Sequence, residues 1–111
     1  MSTTTNTIPK LSREAFGIVY MSAGFRHRFG EQAASIAHVA FEAFRQNDWG
    51  GTCEEDQQTN AEYLEFQSGR LMASYEHDGT KYWVISNFNQ DPEKQQDPDY
   101  CNTCILLPED Y

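Results

Sequence analysis

The chain divides at Asn47-Asp48-Trp49-Gly50-Gly51-Thr52-Cys53-Glu54-Glu55-Asp56, where one helical pattern ends and another begins. Two consecutive glycines interrupt the first pattern, because glycine weakens a helix by about 1 kcal/mol relative to alanine. Thr52 and Glu55 have the spacing of a capping box, in which the hydroxyl accepts an early helix amide and the carboxylate reaches back. The stretch therefore predicts two helices joined by a tight turn.

A central helix is predicted on the N-terminal side of this turn. The segment Glu31–Gln46 is rich in alanine and repeats apolar residues every three or four positions. Phe25 and Phe29 stand four positions apart and predict a short helical turn before it. The run Phe16–Met21 is β-branched and aromatic, which is typical of a buried strand, whereas a helix that begins at Ser12 is the competing prediction.

Strands are predicted on the C-terminal side, beyond the second helix. The runs Arg70–Glu76 and Lys81–Phe88 flank Asp78-Gly79, a strong signal for a hairpin. Residues 89–100 contain two Asp-Pro pairs and predict a loop, after which Thr103–Leu107 returns as a third antiparallel strand. The predicted fold class is therefore α+β, with two to three helices packed on a small antiparallel sheet of three or four strands.

The length of 111 residues is that of one domain with its own core. Residues 1–10 are polar and without periodicity, which predicts a flexible leader before a single domain over residues 11–111. No apolar run approaches the roughly 18 residues of a membrane-spanning helix, and no signal-peptide segment is present. Three cysteines, an odd number, favour free thiols in a reducing compartment. We therefore expect a cytoplasmic protein with no membrane partner.

Charge is distributed unevenly along the chain, whose net charge is -9. Residues 1–47 carry five Lys and Arg against three Asp and Glu, whereas residues 48–111 carry three against fourteen. Such a field repels nucleic acid phosphates, so we expect no direct nucleic-acid binding and instead a protein partner with a basic surface. Solubility alone is the alternative explanation of the acidic charge.

Seven residues are candidates for partner binding. Trp49 either plugs the turn between the helices or is displayed to a partner, since a large aromatic side chain in a turn does one or the other. The acidic candidates mimic spaced phosphates, or else form an ordinary solvated helix face. They are Glu54, Glu55, Asp56 and Glu62 on the second helix and Asp97 and Asp99 in the loop.

Two chemical alternatives use other residues. A small enzyme or ligand-binding domain would combine His38, Cys53 and the carboxylates of residues 54–56 at the glycine turn. A zinc site would need Cys101, Cys104 and Cys53 with a histidine, but a second paired motif is missing. Strand geometry would also place Cys101 and Cys104 on opposite faces if the strand begins as early as Cys101. We therefore expect no metal and no cofactor. A homodimer that pairs through an exposed third strand is a further possibility.

An ordered set of motifs over roughly residues 35–111 resembles small bacterial proteins that are carried on plasmids and phages, some of them labelled as type I restriction methylase subunits. The methylase label implies a glycine-rich turn for the methyl donor and an Asn-Pro-Pro-Phe/Tyr loop, and the chain has neither. What the resemblance implies is a setting, mobile elements and phages, in which short acidic proteins often act by binding host machinery. Together with the charge distribution, the small size and the absence of a catalytic set, it leads us to expect a protein-binding module that inhibits or modulates a host nucleic-acid-handling or defence system. The motifs are Asp48-Trp49-Gly50, Glu55-Asp56-x-x-x-Asn60, Gly69-Arg70-Leu71, Gly79-Thr80-Lys81-Tyr82-Trp83-Val84-Ile85 and Ile105-Leu106-Leu107-Pro108-Glu109-Asp110-Tyr111.

Overall fold

Helices pack on a four-stranded sheet, which confirms the predicted α+β class. The structure is a computed structural model that describes residues 11–66 and 68–111, so the predicted leader at residues 1–10 lies outside the described residues. The helices are α1 (Ala23–Phe29), α2 (Ala33–Arg45), α3 (Glu54–Phe66) and the single turn α4 (Pro92–Gln95). The strands are β1 (Ile18–Met21), β2 (Ser68–His77), β3 (Thr80–Asn89) and β4 (Asn102–Leu106), and 3-10 turns cover Arg13–Phe16, Gly30–Gln32 and Pro108–Asp110.

Sheet order is β1-β4-β3-β2, and β1 pairs with β4 in parallel while the other two pairs are antiparallel. The prediction of a wholly antiparallel sheet is therefore corrected at β1. A parallel pair requires a long crossover, which the helices and the hairpin between β1 and β4 supply. Both predictions for the segment after Ser12 are correct in part, because a 3-10 turn ends at Phe16 and a strand begins at Ile18. The prediction that this strand is buried is wrong, since β1 lies at the edge of the sheet and Ile18 and Tyr20 are 57% and 48% exposed.

Aromatic side chains dominate the core between the sheet and helices α1 and α2. Phe16 lies edge to face against Phe41 and Phe44, with ring centroids 5.5 and 5.8 Å apart. Alternate residues of β3, among them Tyr82 and Phe88, are buried in the same core. Edge-to-face pairs add about 0.5–1.5 kcal/mol each beyond the area that they bury.

The predicted hairpin between β2 and β3 is confirmed at Asp78-Gly79. Asp78 has φ 50° and Gly79 has φ 77°, the left-handed values that a two-residue type I′ turn needs at both positions. In the resulting register Ser74 stands opposite Trp83 and Met72 opposite Ile85. The hairpin leaves β2 at one edge of the sheet.

Helix α3 closes that edge of the sheet. The side chain of Asn60 donates to the Met72 carbonyl at 2.8 Å and accepts from the Met72 amide at 3.1 Å, so one amide group replaces a neighbouring strand. Two positions further along β2, Ser74 donates its amide to the Thr52 hydroxyl at 2.8 Å and accepts from the Gly51 amide at 2.9 Å. An open edge exposes a row of unpaired backbone groups, and here two of its residues are paired.

Replacing Asn60 by Ala tests this closure. The variant leaves both backbone groups of Met72 without their partner, and we expect a loss of about 2–3 kcal/mol in the free energy of unfolding, although alanine is the better helix former. Urea unfolding followed by circular dichroism measures the loss. Gln58→Ala, at an exposed position of the same helix, is the matched control and should change stability by less than about 0.5 kcal/mol. Equal stabilities of the two variants would contradict the closure.

Candidate functional site

The C-terminal end of α2 is built by Asn47 and not by the glycines that follow. Asn47 has φ 66°, its amide donates to the Phe44 carbonyl at 3.0 Å, and the amide of Asp48 donates to the Ala43 carbonyl at 2.9 Å. This pair of bonds is the Schellman motif, in which a left-handed residue satisfies the last helix carbonyls. The prediction that Gly50 and Gly51 end the helix is therefore corrected.

Gly50 serves close packing against β2 instead. It has φ 58°, and a Cβ atom there would lie 2.6 Å from the ring of Tyr75 and 2.9 Å from the Ser74 carbonyl oxygen. Only glycine combines this conformation with so close an approach. The turn is thereby held directly against the edge strand.

Thr52 does not cap α3 in the way that its spacing predicts. The helix begins at Glu54, and the Thr52 hydroxyl instead donates to the Trp49 carbonyl while it accepts from the Ser74 amide. The side-chain amide of Gln57 donates to the Thr52 carbonyl at 2.7 Å. The hydroxyl therefore fastens the turn to β2, and the predicted role of Thr52 in a capping box is wrong.

Trp49 is buried in the core, with 4% of its surface exposed. Its indole N–H has no hydrogen-bond partner within the described part of the chain. Burial agrees with the interpretation of Trp49 as a plug for the join between α2 and α3. A buried ring is not displayed, so Trp49 is not part of the surface that a partner would contact in this structure.

Tyr75 connects β2 to the same turn. Its hydroxyl donates to the Asp48 carbonyl at 2.7 Å, and its ring stacks on Tyr82 with centroids 5.8 Å apart. Burial, together with the charge of Asp48 and the proximity of Tyr82, raises the pKa of Tyr75 far above its ordinary value. The phenol is therefore held in its neutral, hydrogen-bond-donating form.

The predicted acidic residues of α3 lie along the outside of the closed edge. Glu54, Glu55, Asp56 and Glu62 are all exposed, whereas Asn60 and Leu64 on the opposite side of the helix are buried. Because Thr52 contacts Ser74 and Asn60 contacts Met72, the helix runs antiparallel to β2. Its first turn therefore lies near the His77 end of β2, and its last turn lies near the Ser68 end.

Asp97 and Asp99 differ from each other in the structure. Asp99 is exposed and lines a groove of about 460 Å³ together with Tyr63 of α3, Tyr100 and the cationic Arg70, so it extends the line of carboxylates beyond the helix. Asp97 accepts the Asp99 amide on its carboxylate at 3.0 Å, which is a local turn interaction. We define the acidic edge as the exposed carboxylates of Glu54, Glu55, Asp56, Glu62, Glu65 and Asp99.

None of the carboxylates of the acidic edge forms an ion pair in the part of the chain that the structure describes. Arg45 forms an ion pair with Glu42 there, and the His77 ring lies 3.6 Å from the Asp78 carboxylate. The basic cluster Arg26-His27-Arg28 belongs to α1 and is exposed on that helix. The charge of the acidic edge is therefore left for solvent or for another molecule.

His38 and Cys53 are not brought together. His38 lines a cavity with β1 residues such as Val19 and Tyr20, and Cys53 lies in the turn beside β2, at the other edge of the sheet. That cavity is lined neither by Cys53 nor by the carboxylates of residues 54–56. The geometry does not support a shared catalytic or ligand-binding site for these residues.

The three thiols are also separate. Cys101 is buried and donates to the Ala15 carbonyl at 3.0 Å, Cys104 lies on the other face of the sheet beside Tyr20, and Cys53 is exposed. Burial raises the pKa of both Cys101 and Cys104. Among the described residues no group of three His, Cys, Asp or Glu side chains is arranged to hold a metal ion.

Sequence reasoning missed the roles of Asn60 and Tyr75. A polar residue four positions before Leu64, on the apolar side of a helix, was the available signal for Asn60, because such a residue needs a buried partner. Tyr75 gave no comparable signal, since an aromatic residue in a strand is ordinarily explained by packing. Both residues act through contacts that are distant in sequence.

Comparison with known proteins finds no match for the chain, either among family models, curated proteins or solved structures. Within the described residues, no helix has the length and apolar character needed to cross a membrane.

If Trp49 fills the space between α2 and α3, replacing it by Ala should lower the stability of the fold strongly. Removing a buried indole leaves a cavity, and we expect a loss of about 3–5 kcal/mol in the free energy of unfolding. Trp49→Phe keeps an aromatic ring and removes the unpaired N–H, so its loss should be clearly smaller. Thermal unfolding of both variants measures the difference. A melting temperature unchanged in Trp49→Ala would show that the ring does not support the fold.

The raised pKa of Tyr75 predicts that the free energy of unfolding falls as the pH becomes alkaline. Because the pKa of Tyr75 is raised in the folded state, its contribution is fully present below the unfolded value of 10.0 and is lost as pH rises beyond it. Urea unfolding at a series of pH values from neutral upward should show that the free energy of unfolding falls more steeply with pH for the wild type than for Tyr75→Phe. The variant should also be less stable by about 1 kcal/mol at neutral pH, because it lacks the bond to Asp48. Parallel pH profiles would contradict the assignment.

Proposed function

We propose that the chain is a protein-binding module that contacts a basic surface of its partner with the acidic edge. The observation that carries this proposal is the unpaired state of the edge carboxylates among the described residues. The edge carboxylates have no Lys or Arg partner among the described residues, and they are exposed to solvent. A basic partner would gain from each of them, by about 0.2–1 kcal/mol per exposed pair.

The charge density of α3 supports a partner that handles nucleic acid. Its thirteen residues include five carboxylates and no Lys or Arg, and a helix of that length extends about 20 Å. The average of one charge per about 4 Å is comparable to the density of one DNA strand, which carries one phosphate per about 3.4 Å. Three of the carboxylates lie in the first turn and two near the C-terminal end of the helix. A surface that binds a phosphate backbone would accommodate such a helix, and the protein would compete with the nucleic acid.

The resemblance to plasmid- and phage-borne proteins supports a biological setting for the same proposal. In that setting the module inhibits or modulates a host nucleic-acid-handling or defence system. Direct binding of DNA or RNA is not proposed, because the net charge of -9 repels phosphates.

Charge neutralisation along α3 tests the proposal. The variant replaces five carboxylates by amides: Glu54→Gln, Glu55→Gln, Asp56→Asn, Glu62→Gln and Glu65→Gln. A basic protein that the wild type retains from host lysate is purified, and its Kd is measured at several salt concentrations. We expect the variant to bind at least about tenfold more weakly and with a shallower salt dependence.

A control of equal net charge separates the acidic edge from overall charge. It replaces five exposed carboxylates elsewhere: Glu14→Gln, Glu31→Gln, Asp78→Asn, Glu93→Gln and Glu109→Gln. We expect this control to bind nearly as tightly as the wild type. Equal losses in the two variants would contradict a defined acidic edge, and unchanged binding in both would contradict the proposed function.

A further inference from the structure

An apolar cleft of about 510 Å³ opens between α2 and the hairpin, directly beside the join. Its walls are largely apolar or aromatic and include Ile36, Val39, Ala40, Ala43, Tyr75 and Tyr82. Volumes of about 300–1,000 Å³ are typical of pockets that bind small ligands. Val39 stands at the cleft with 69% of its surface exposed, an unusual position for a large aliphatic residue on an otherwise amphipathic helix.

The cleft is shaped by the turn that begins the acidic edge. Gly50 and Gly51 form part of its wall, and Glu54 lies three residues beyond Gly51 at the start of α3. Because α3 runs antiparallel to β2, its first turn is the end of the helix that lies nearest to the cleft. The cleft and the three carboxylates of residues 54–56 therefore form neighbouring parts of one surface.

Charge around the cleft has the same sign as the acidic edge. Exposed Asp48 borders the cleft, since its carbonyl accepts the Tyr75 hydroxyl. Glu76 follows Tyr75 in β2, so its side chain lies on the opposite face of the sheet and adds no charge inside the cleft. No Lys or Arg lines the cleft, and the ring of its one histidine, His77, lies 3.6 Å from the Asp78 carboxylate. Lys81 stands opposite Glu76 in the hairpin register without forming an ion pair among the described residues.

We infer that the cleft receives one large apolar side chain from the basic partner, at a position that Lys or Arg residues flank. This inference rests on the proposed function and adds the chemistry of the partner's contact segment. The apolar walls exclude a charged occupant, because burying an unpaired charge is costly. The surrounding carboxylates favour cationic neighbours on the same segment, and a central apolar anchor with a charged rim is the usual arrangement of an interface.

Two synthetic peptides test the inference. They are lysine-rich, have the same length and charge, and differ only at one central residue, which is tryptophan in one and serine in the other. Fluorescence anisotropy gives the Kd of each labelled peptide for the full chain. We expect the tryptophan peptide to bind about tenfold more tightly, as burial of one large apolar side chain allows.

Variants of α2 test whether the cleft is the site that prefers the tryptophan peptide over the serine peptide. Ala43→Leu fills the cleft and should abolish the advantage of tryptophan over serine, whereas Ala34→Leu, an exposed position on another side of the same helix, should keep it. Circular dichroism checks that both variants fold. If Ala43→Leu does not fold, Val39→Ser at the exposed rim gives the same readout, with an expected reduction of the advantage.

The two peptides also separate failure of this inference from failure of the proposed function. Equal binding of both peptides that depends on the α3 carboxylates would overturn the cleft as an anchor site and leave the acidic edge intact. Binding of neither peptide, or binding that is indifferent to neutralisation of α3, would overturn both. A preference for tryptophan that survives in Ala43→Leu and Val39→Ser would place the anchor elsewhere and overturn the inference.

Discussion

The pairing of Asn60 with the backbone of Met72 is the interaction on which the rest of the structure depends. β2 is an edge strand, and its outward amides and carbonyls need partners if the edge is not to recruit another chain. A single carboxamide supplies both a donor and an acceptor to Met72, and the turn residues Gly51 and Thr52 do the same for Ser74. These bonds hold α3 beside the sheet in one orientation, so its polar side, with the carboxylates, is directed away from the protein.

Local signals in the sequence were sufficient for much of the fold. The hairpin followed from Asp78-Gly79, the central helix from its alanine-rich repeat, and the return of β4 from the aliphatic run before Pro108. What the sequence did not predict depends on contacts between distant segments. The parallel pairing of β1, the closure of the edge by Asn60 and the use of the Thr52 hydroxyl by Ser74 are all of this kind. The local capping-box pattern at Thr52 was overridden because the edge strand offered a competing donor.

The candidate site was predictable in its composition and not in its arrangement. The exposed carboxylates of α3 were expected from the sequence. Only the direction of the helix along β2 places their last members toward the Asp99 groove and their first members just after Gly50 and Gly51, which line the apolar cleft. Trp49 moved from the candidate surface into the core, and His38 and Cys53 lie at opposite edges of the sheet. A module that combines a charged edge with one apolar anchor site is the account that these positions support best.

Amide hydrogen exchange measured by NMR tests the closure of the edge most directly. The amides of Met72 and Ser74 point away from β3 and are bonded to Asn60 and Thr52, so their exchange should be as slow as that of amides in the central strand β3. The Ser74 amide should be protected even though its partner lies in the turn between α2 and α3, because the Thr52 hydroxyl that accepts it also donates to the Trp49 carbonyl. If Met72 and Ser74 exchanged at the rates of open strand amides, α3 would not close this edge and the acidic edge would lack its structural basis.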